Sequence, residues 1–204
     1  MKENYIVLDG NHIDLTEEQI AKIKESFGLS PKTLAEVTLG ETCRLGHLEF
    51  IVLEHTGNGT AVLLKDFWKT ANFDGDSNDY RTSSIRNDLN TVFYNELADV
   101  VGADNIIPHN TDLTADDGRT EYEFCEDNIG LMTADNYRRY VYLLDKYRSD
   151  SWWWLATPYS TAANGYNFAV RVVYRGGTLN NNICNFDCGV RPFCILKSNI
   201  FVSE

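Results

Sequence analysis

Cys184 and Cys188 stand four residues apart in the C-terminal quarter of the chain, and they are the side chains best suited to covalent chemistry. A close thiol pair can supply a nucleophile, exchange with a disulfide or hold a soft metal, provided the thiolate is accessible. A zinc site needs four ligands in closed geometry. Cys43, Cys125, Cys194, His12, His47, His55 and His109 follow no such spacing. The segment "DGDSNDY", residues 74–80, opens like a calcium loop, with oxygen ligands at alternate positions. An EF-hand then requires Gly at its sixth position and Glu at its twelfth, and this chain has Asp79 and Ile85 there. It reads as a solvated turn. No Ser-His-Asp set, phosphate-binding loop or dinucleotide fingerprint is present, so no catalytic residue, metal or cofactor is assigned.

A second kind of chemistry is recognition. Residues 174–193, "YRGGTLNNNICNFDCGVRPF", set a nearly uncharged stretch between two sharp signals. Gly176-Gly177 permits a tight or left-handed turn, and Arg191 before Pro192 is pushed towards extended backbone. Arg191 is expected to serve several loop carbonyls through its fork of donors. Tyr, Phe and Asn interleaved on a rigid frame have the composition of a binding surface. The candidate ligand-binding residues are Tyr159, Ser160, Tyr166, Asn167, Phe168, Tyr174, Asn180, Asn181, Asn182, Asn185, Phe186 and Asp187. The alternative is a polar loop with no partner. On the binding reading the two thiols are incidental, and Cys184→Ser and Cys188→Ser leave the fold intact.

These residues need a scaffold, and the chain divides into two expected units, residues 1–38 and 39–204. In the first, "YIVLD" and "HIDL" flank Gly10-Asn11 as a hairpin, and Thr16 with Gln19 opens a helix as a capping box. Ile20, Ile23 and Phe27 share its apolar face; Gly28 ends it, and Ser30-Pro31 turns the chain. In the second, residues 39–68 predict two or three strands, with "HTGNGT" as a hairpin loop. Residues 82–98 predict a helix capped by Ser84, with Ile85, Leu89, Val92 and Phe93 on one side. A turn-rich section, 104–128, precedes a helix opened by Thr133, with Tyr137, Tyr140, Val141 and Leu144 inward. From Trp152 onward the pattern is strand and loop, with Trp152 and Trp154 on one side of a strand and Trp153 on the other. The fold class is α+β.

Composition narrows the partners. The 204 residues carry 30 acidic against 18 basic side chains, a formal charge of -12. Such a chain repels phosphate backbones, and Arg138-Arg139 and Lys146-Tyr147-Arg148, its densest basic spots, lie among acids. Nucleic acid is therefore not the expected partner, whereas a basic protein surface is compatible. No apolar run approaches the roughly 20 residues of a membrane span. The first residues, Met1 to Tyr5, lack the apolar stretch of a signal peptide, so cytoplasmic synthesis is expected. Five cysteines cannot all pair internally, and free thiols follow.

The ordered segments "GETCRLGHLEFIVLE", "SSIRNDLNTVFYNEL", "WWWLATP", "FAVRVVYRGGTL" and "GVRPFCIL" resemble a domain of unknown function from bacterial and prophage proteins. The likeness spans about residues 39–197 and implies a C-type lectin-like fold. "RGGTLNNN" followed by "GVRPF" is similar to a signature of two further branches. One is the formylglycine-generating sulfatase modifiers. The other is the variable proteins of diversity-generating retroelements, which include phage tropism determinants. The first branch implies an oxidase using Cys184 and Cys188 with copper; here the pair is spaced one residue closer and begins several residues later than in that family. The second implies a non-catalytic module whose C-terminal surface is diversified at adenine-containing codons. Every residue in 180–188 belongs to the set that such replacement produces from Asn, as do Tyr159, Ser160, Tyr166, Asn167 and Phe168. The partner implied is a protein or surface ligand on a host or other cell. A structural virion component, with virion association, is the further alternative. The lectin-like reading also expects the chain ends to lie close together, with "GHLEFIVLE" pairing near "FCILKSNIFV".

Overall fold

The computed structural model describes residues 5–8, 11–26, 32–57 and 59–203. Expectations resting on Gly10, Phe27, Gly28, Ser30-Pro31 and Asn58 lie outside these residues. Strands β1 (Tyr5–Leu8) and β2 (Asn11–Asp14) form the expected antiparallel hairpin, with Leu8 opposite Asn11. The Thr16 hydroxyl accepts the Gln19 N–H at 3.2 Å, and the Gln19 side chain accepts the Thr16 N–H at 2.8 Å. This reciprocal cap starts α1 (Glu17–Ser26).

The main body begins before residue 39. Strand β3 (Lys32–Thr33) leads into buried Leu34 and Val37, which belong to the principal core. Then come β4 (Thr42–Leu45), β5 (Leu48–His55) and β6 (Thr60–Leu64), an antiparallel meander. The turn between β5 and β6 is closed by the Thr56 N–H on the Gly59 carbonyl. Strand β7 (Lys69–Asn72) leaves for a second sheet.

The predicted helix of residues 82–98 is three pieces: α2 (Ser84–Asp88), a π-helical turn over Leu89–Phe93, and α3 (Tyr94–Val101). Its cap is Ser83, whose hydroxyl accepts the Arg86 N–H, and not Ser84. Val92, expected inward, is 57% exposed, while Ile85, Leu89, Phe93 and Leu97 are buried. A π turn holds more residues than an α turn, so it rotates the apolar register and puts Val92 outside.

Strand β8 (Ile106–Ile107) and the hairpin of β9 (His109–Asp112) with β10 (Phe124–Asp127) organise the turn-rich section. Thr133 caps α4 (Ala134–Leu144), which buries Tyr137, Tyr140 and Leu144 as expected and Val141 in part. The chain ends in β11 (Trp153–Pro158), β12 (Ala169–Val173), β13 (Leu179–Ile183), β14 (Asp187–Val190), β15 (Phe193–Leu196) and β16 (Phe201–Val202).

Two five-stranded sheets result, ordered β13-β12-β11-β14-β7 and β4-β5-β6-β15-β8. Both are buried on two faces at their centre. Phe50, Val52, Trp154 and Ala156 share one cluster with Ile85, Leu89 and Phe93 of the broken helix. Their neighbours Ile51, Leu53, Trp153 and Leu155 share another with Tyr137, Tyr140 and Leu144 of α4. Strand alternation thus feeds helices on opposite sides, which is why β6 and β11 read as continuous apolar runs. The expected split of Trp154 from Trp153 holds, and Trp152 packs in part with Trp154.

Strands β5 and β15 lie in one sheet with β6 between them, and β16 pairs with β3. Ser203 exchanges backbone hydrogen bonds with Arg44, so the C-terminus returns to the start of the main body. Strand β14 is parallel to β11 and antiparallel to β7, and it passes Phe67 so closely that a Cβ at Gly189 would enter the ring. Arg191 departs from expectation. It is buried, gives its Nε–H to one carbonyl, Leu64, at 3.0 Å, and lies over the Trp153 ring at 5.0 Å. Desolvation pulls its pKa down to about 10.

A candidate ligand-binding surface

The stretch 174–193 is built into the scaffold. Gly176 and Gly177, with φ of 87° and 89°, make the turn from β12 into β13, which is the edge strand of its sheet. In the β12–β13 register Val172 faces Asn180, Arg171 faces Asn181 and Val170 faces Asn182. Cross-strand partners share a face, so Asn180 and Asn182 project to one side and Asn181 to the other. The three asparagines do not form one surface.

At the Ala169 end of this hairpin a cluster of apolar side chains is exposed. Ala169 pairs with Ile183, its carbonyl accepts the Tyr159 N–H at 3.0 Å, and Phe168 precedes it. The Tyr166 ring lies 5.7 Å from Phe168 and 6.3 Å from Tyr159, centroid to centroid. Phe186 closes the turn after β13 through its N–H on the Ile183 carbonyl. Tyr159, Tyr166, Phe168, Ile183 and Phe186 are each 40–57% exposed. Single exposed apolar residues are ordinary, but three rings in mutual contact, with Ile183 and Phe186 on the chain segment whose Cys184 N–H bonds the Phe168 carbonyl, form a patch.

The loop carrying Tyr159, Tyr166 and Phe168 is fixed from below by a residue of the "DGDSNDY" segment. Asn78 is fully buried, and its Nδ2 donates to the carbonyls of Ser160 (2.8 Å), Tyr166 (3.0 Å) and Ala169 (2.9 Å). Its N–H donates to the Asn167 carbonyl at 2.7 Å. Its Oδ1 accepts the Tyr122 hydroxyl at 2.9 Å, and that hydroxyl accepts the Ala162 N–H. Asp79 caps the next turn by accepting the Arg81 N–H. The segment is therefore only partly a solvated turn: its centre is a buried clasp. Among the described residues no group of three or more His, Cys, Asp or Glu is placed to hold a metal.

The other candidates fall in several places. Ser160 is buried, its hydroxyl on Asp117 Oδ2 at 2.6 Å, so it presents nothing to a ligand. Asn167, Asn185 and Asp187 are exposed near the aromatic patch, and the Asn185 carbonyl accepts from Asn72 Nδ2. Tyr174 lies just past the opposite end of β12, about 17 Å from Ala169 at roughly 3.3 Å per residue, and packs edge-on against Trp152 at 4.8 Å. Asn180 is near that end too. Ile183, Asn78 and Tyr122 were not singled out from sequence. Ile183 was legible as the apolar residue closing a strand of asparagines, whereas the roles of Asn78 and Tyr122 require contacts 40 to 91 residues apart.

Cys184 lies in the turn after β13 and Cys188 in β14. Both are buried in the principal core, and burial raises both thiol pKa values. The other three thiols are buried as well, and desolvation pushes Cys43 and Cys125 up to about 12. Such environments suppress the thiolate that nucleophilic or copper chemistry would use.

Residues 103–198 match the family model of a domain of unknown function (DUF6273). No curated protein and no solved structure matches the chain. The matched segment includes Tyr122 and the whole aromatic patch; Asn78, which fixes the patch, lies ahead of it.

Proposed function

We propose that the chain is a non-catalytic binding module, encoded by a phage or prophage, that uses the Tyr159–Tyr166–Phe168–Ile183–Phe186 patch to hold a protein on a cell surface. The observation carrying this reading is the patch itself, exposed yet preorganised by four hydrogen bonds from one buried residue, Asn78. Rigid aromatic side chains lose little entropy on binding, and a fixed loop lowers the cost further. Exposed Asp187 follows Phe186 directly, and the Asp74 N–H bonds the carbonyl of Cys184 next to Ile183, so carboxylates border the patch. The partner is therefore an apolar protein surface with a basic rim.

A C-type lectin-like scaffold is part of the proposal. The pairing of β16 with β3, and β5 and β15 sharing one sheet, accord with it. Retroelement diversification belongs to it only in revised form. Cys184 and Cys188 fill core space, so diversified positions would be the exposed residues around them and not those two.

The test is binding of fluorescently labelled protein to intact bacterial cells, before and after protease treatment of the cells. Saturable, protease-sensitive binding is expected to weaken about tenfold or more for Tyr166→Ala and Phe186→Ala, as for aromatic anchors. Equal binding by wild type and both variants would overturn the reading.

A further inference from the structure

The described residues also carry a concave feature, lined by none of the aromatic-patch residues. A surface cleft of about 440 Å³ has its floor on the broken helix, at Arg86, Asn87 and Asn90, with Arg81 on one wall and Glu126 and Asn128 on the other. Arg86 sets the two walls: its Nη1 donates to the Arg81 carbonyl at 2.9 Å and its Nη2 to the Glu126 carbonyl at 3.0 Å. Its Nε donates to the buried Asp127 at 2.6 Å. Asn90 is saturated, donating to Arg86, Asp127 and Ile129 and accepting from the N–H groups of Asn128 and Ile129. The frame is thus rigid. Asn90 also lies in the π-helical turn, a distortion that recurs at functional sites.

What the frame leaves unused is specific. Arg81 binds Asp79 through Nε and Nη2, leaving Nη1. Among the described residues, Glu126 takes part in no ion pair, and the side-chain amides of Asn87 and Asn128 have no hydrogen-bond partner. One spare cationic donor and one spare carboxylate therefore flank two amides that each offer donors and an acceptor. Every residue lining the cleft is of a polar or charged type, and polar atoms make up the larger part of its surface, which favours a polar ligand. A simple anion meets Glu126 and a net charge of -12, and both guanidinium groups already face carboxylates. The volume is within the roughly 300–1,000 Å³ typical of small-molecule sites.

We infer that this cleft binds a small zwitterion of the amino-acid or dipeptide kind, its carboxylate towards Arg81 and its ammonium towards Glu126, with Asn87 and Asn128 bonding the groups between. The site is independent of the aromatic patch.

The experiment is isothermal titration of the full chain with glycine, L-glutamine and L-alanyl-L-alanine, against N-acetylglycine and glycinamide, which each keep one charge. At least one zwitterion is expected to saturate, the singly charged analogues binding about tenfold weaker or worse. The preference between amino acid and dipeptide assigns the size of the ligand. Glu126→Gln and Asn87→Ala, both exposed positions, are expected to weaken binding about tenfold with unchanged melting temperature, and Tyr166→Ala to leave it intact. No saturation by any zwitterion up to about 10 mM, equal binding of N-acetylglycine, or full affinity in Glu126→Gln would overturn the inference.

Discussion

The Tyr122 hydroxyl donates to Asn78 Oδ1 at 2.9 Å, joining the loop after β9 to the turn before α2 beneath the aromatic patch. Because Asn78 Nδ2 serves three carbonyls on the patch side, this bond orients the amide that orders the loop. Asn78→Ala leaves those acceptors without their partner in a buried place. A loss of about 3 kcal/mol is expected, or roughly 6–12 °C in melting temperature for a chain of this size. Tyr122→Phe should cost about 1–2 kcal/mol. The double variant should lose less than the sum, since the residues share one network. Thermal and urea denaturation check this, and a cost under about 0.5 kcal/mol for Asn78→Ala would remove the clasp from the account.

Aromatic residues that read alike in sequence should separate by stability. Tyr166 and Phe186 are exposed, and their change to Ala is expected to shift stability by less than about 0.5 kcal/mol. Tyr174 packs edge-on against Trp152 and carries Arg175 on its hydroxyl, so Tyr174→Ala should cost about 1–2 kcal/mol. It should leave cell binding unchanged. Loss of binding without loss of stability in Tyr174→Ala would return that residue to the ligand surface.

The thiols should behave as core atoms. Cys184→Ser and Cys188→Ser, expected from sequence to be silent, now place a hydroxyl in an apolar cluster and should each cost about 1–3 kcal/mol. Native protein should react slowly with iodoacetamide near pH 7.5, because all five thiols are buried, and quickly once unfolded in urea. Rapid native labelling at Cys184 or Cys188 would contradict the burial.

His109 gives a pH dependence of known sign. Its imidazole pKa is lowered from 6.5 by desolvation, against the opposing pull of Asp127 and the Ile107 carbonyl. The folded state thus holds the ring neutral while the unfolded chain takes up a proton below pH 6.5. Stability from this residue is complete above that pH and falls as pH drops below it, levelling off beneath the folded-state value. Carboxylates with depressed pKa, such as Glu49 and Asp117, lose their contributions at lower pH, from their ordinary values of 4.5 and 3.8 downwards. Urea unfolding between pH 7 and 5.5 should show a decline that His109→Gln flattens. An identical slope in the variant would assign the effect elsewhere.

Local signals in the chain were enough for the elements whose causes are local. Thr16 with Gln19, and Thr133 ahead of Tyr137, Tyr140 and Leu144, are caps and faces written within a few residues, and they formed as read. Gly176-Gly177 needed only its own backbone freedom. The α+β class followed from the same periodicities. What tertiary structure decided is where apolar patterns are buried and which polar groups meet. Val92 turned outward because a π turn rotated the helix, and Ser160 and Cys184 turned inward because sheet and clasp close around them. A code of Asn, Tyr and Phe looks the same on an edge strand, in a core and on a surface. Ala169 alone, bonded to Tyr159 and paired with Ile183, shows which of those residues share one end of the fold. The bond that fixes this end from below, Asn78 to the Ala169 carbonyl, spans 91 residues, which no local window of sequence contains.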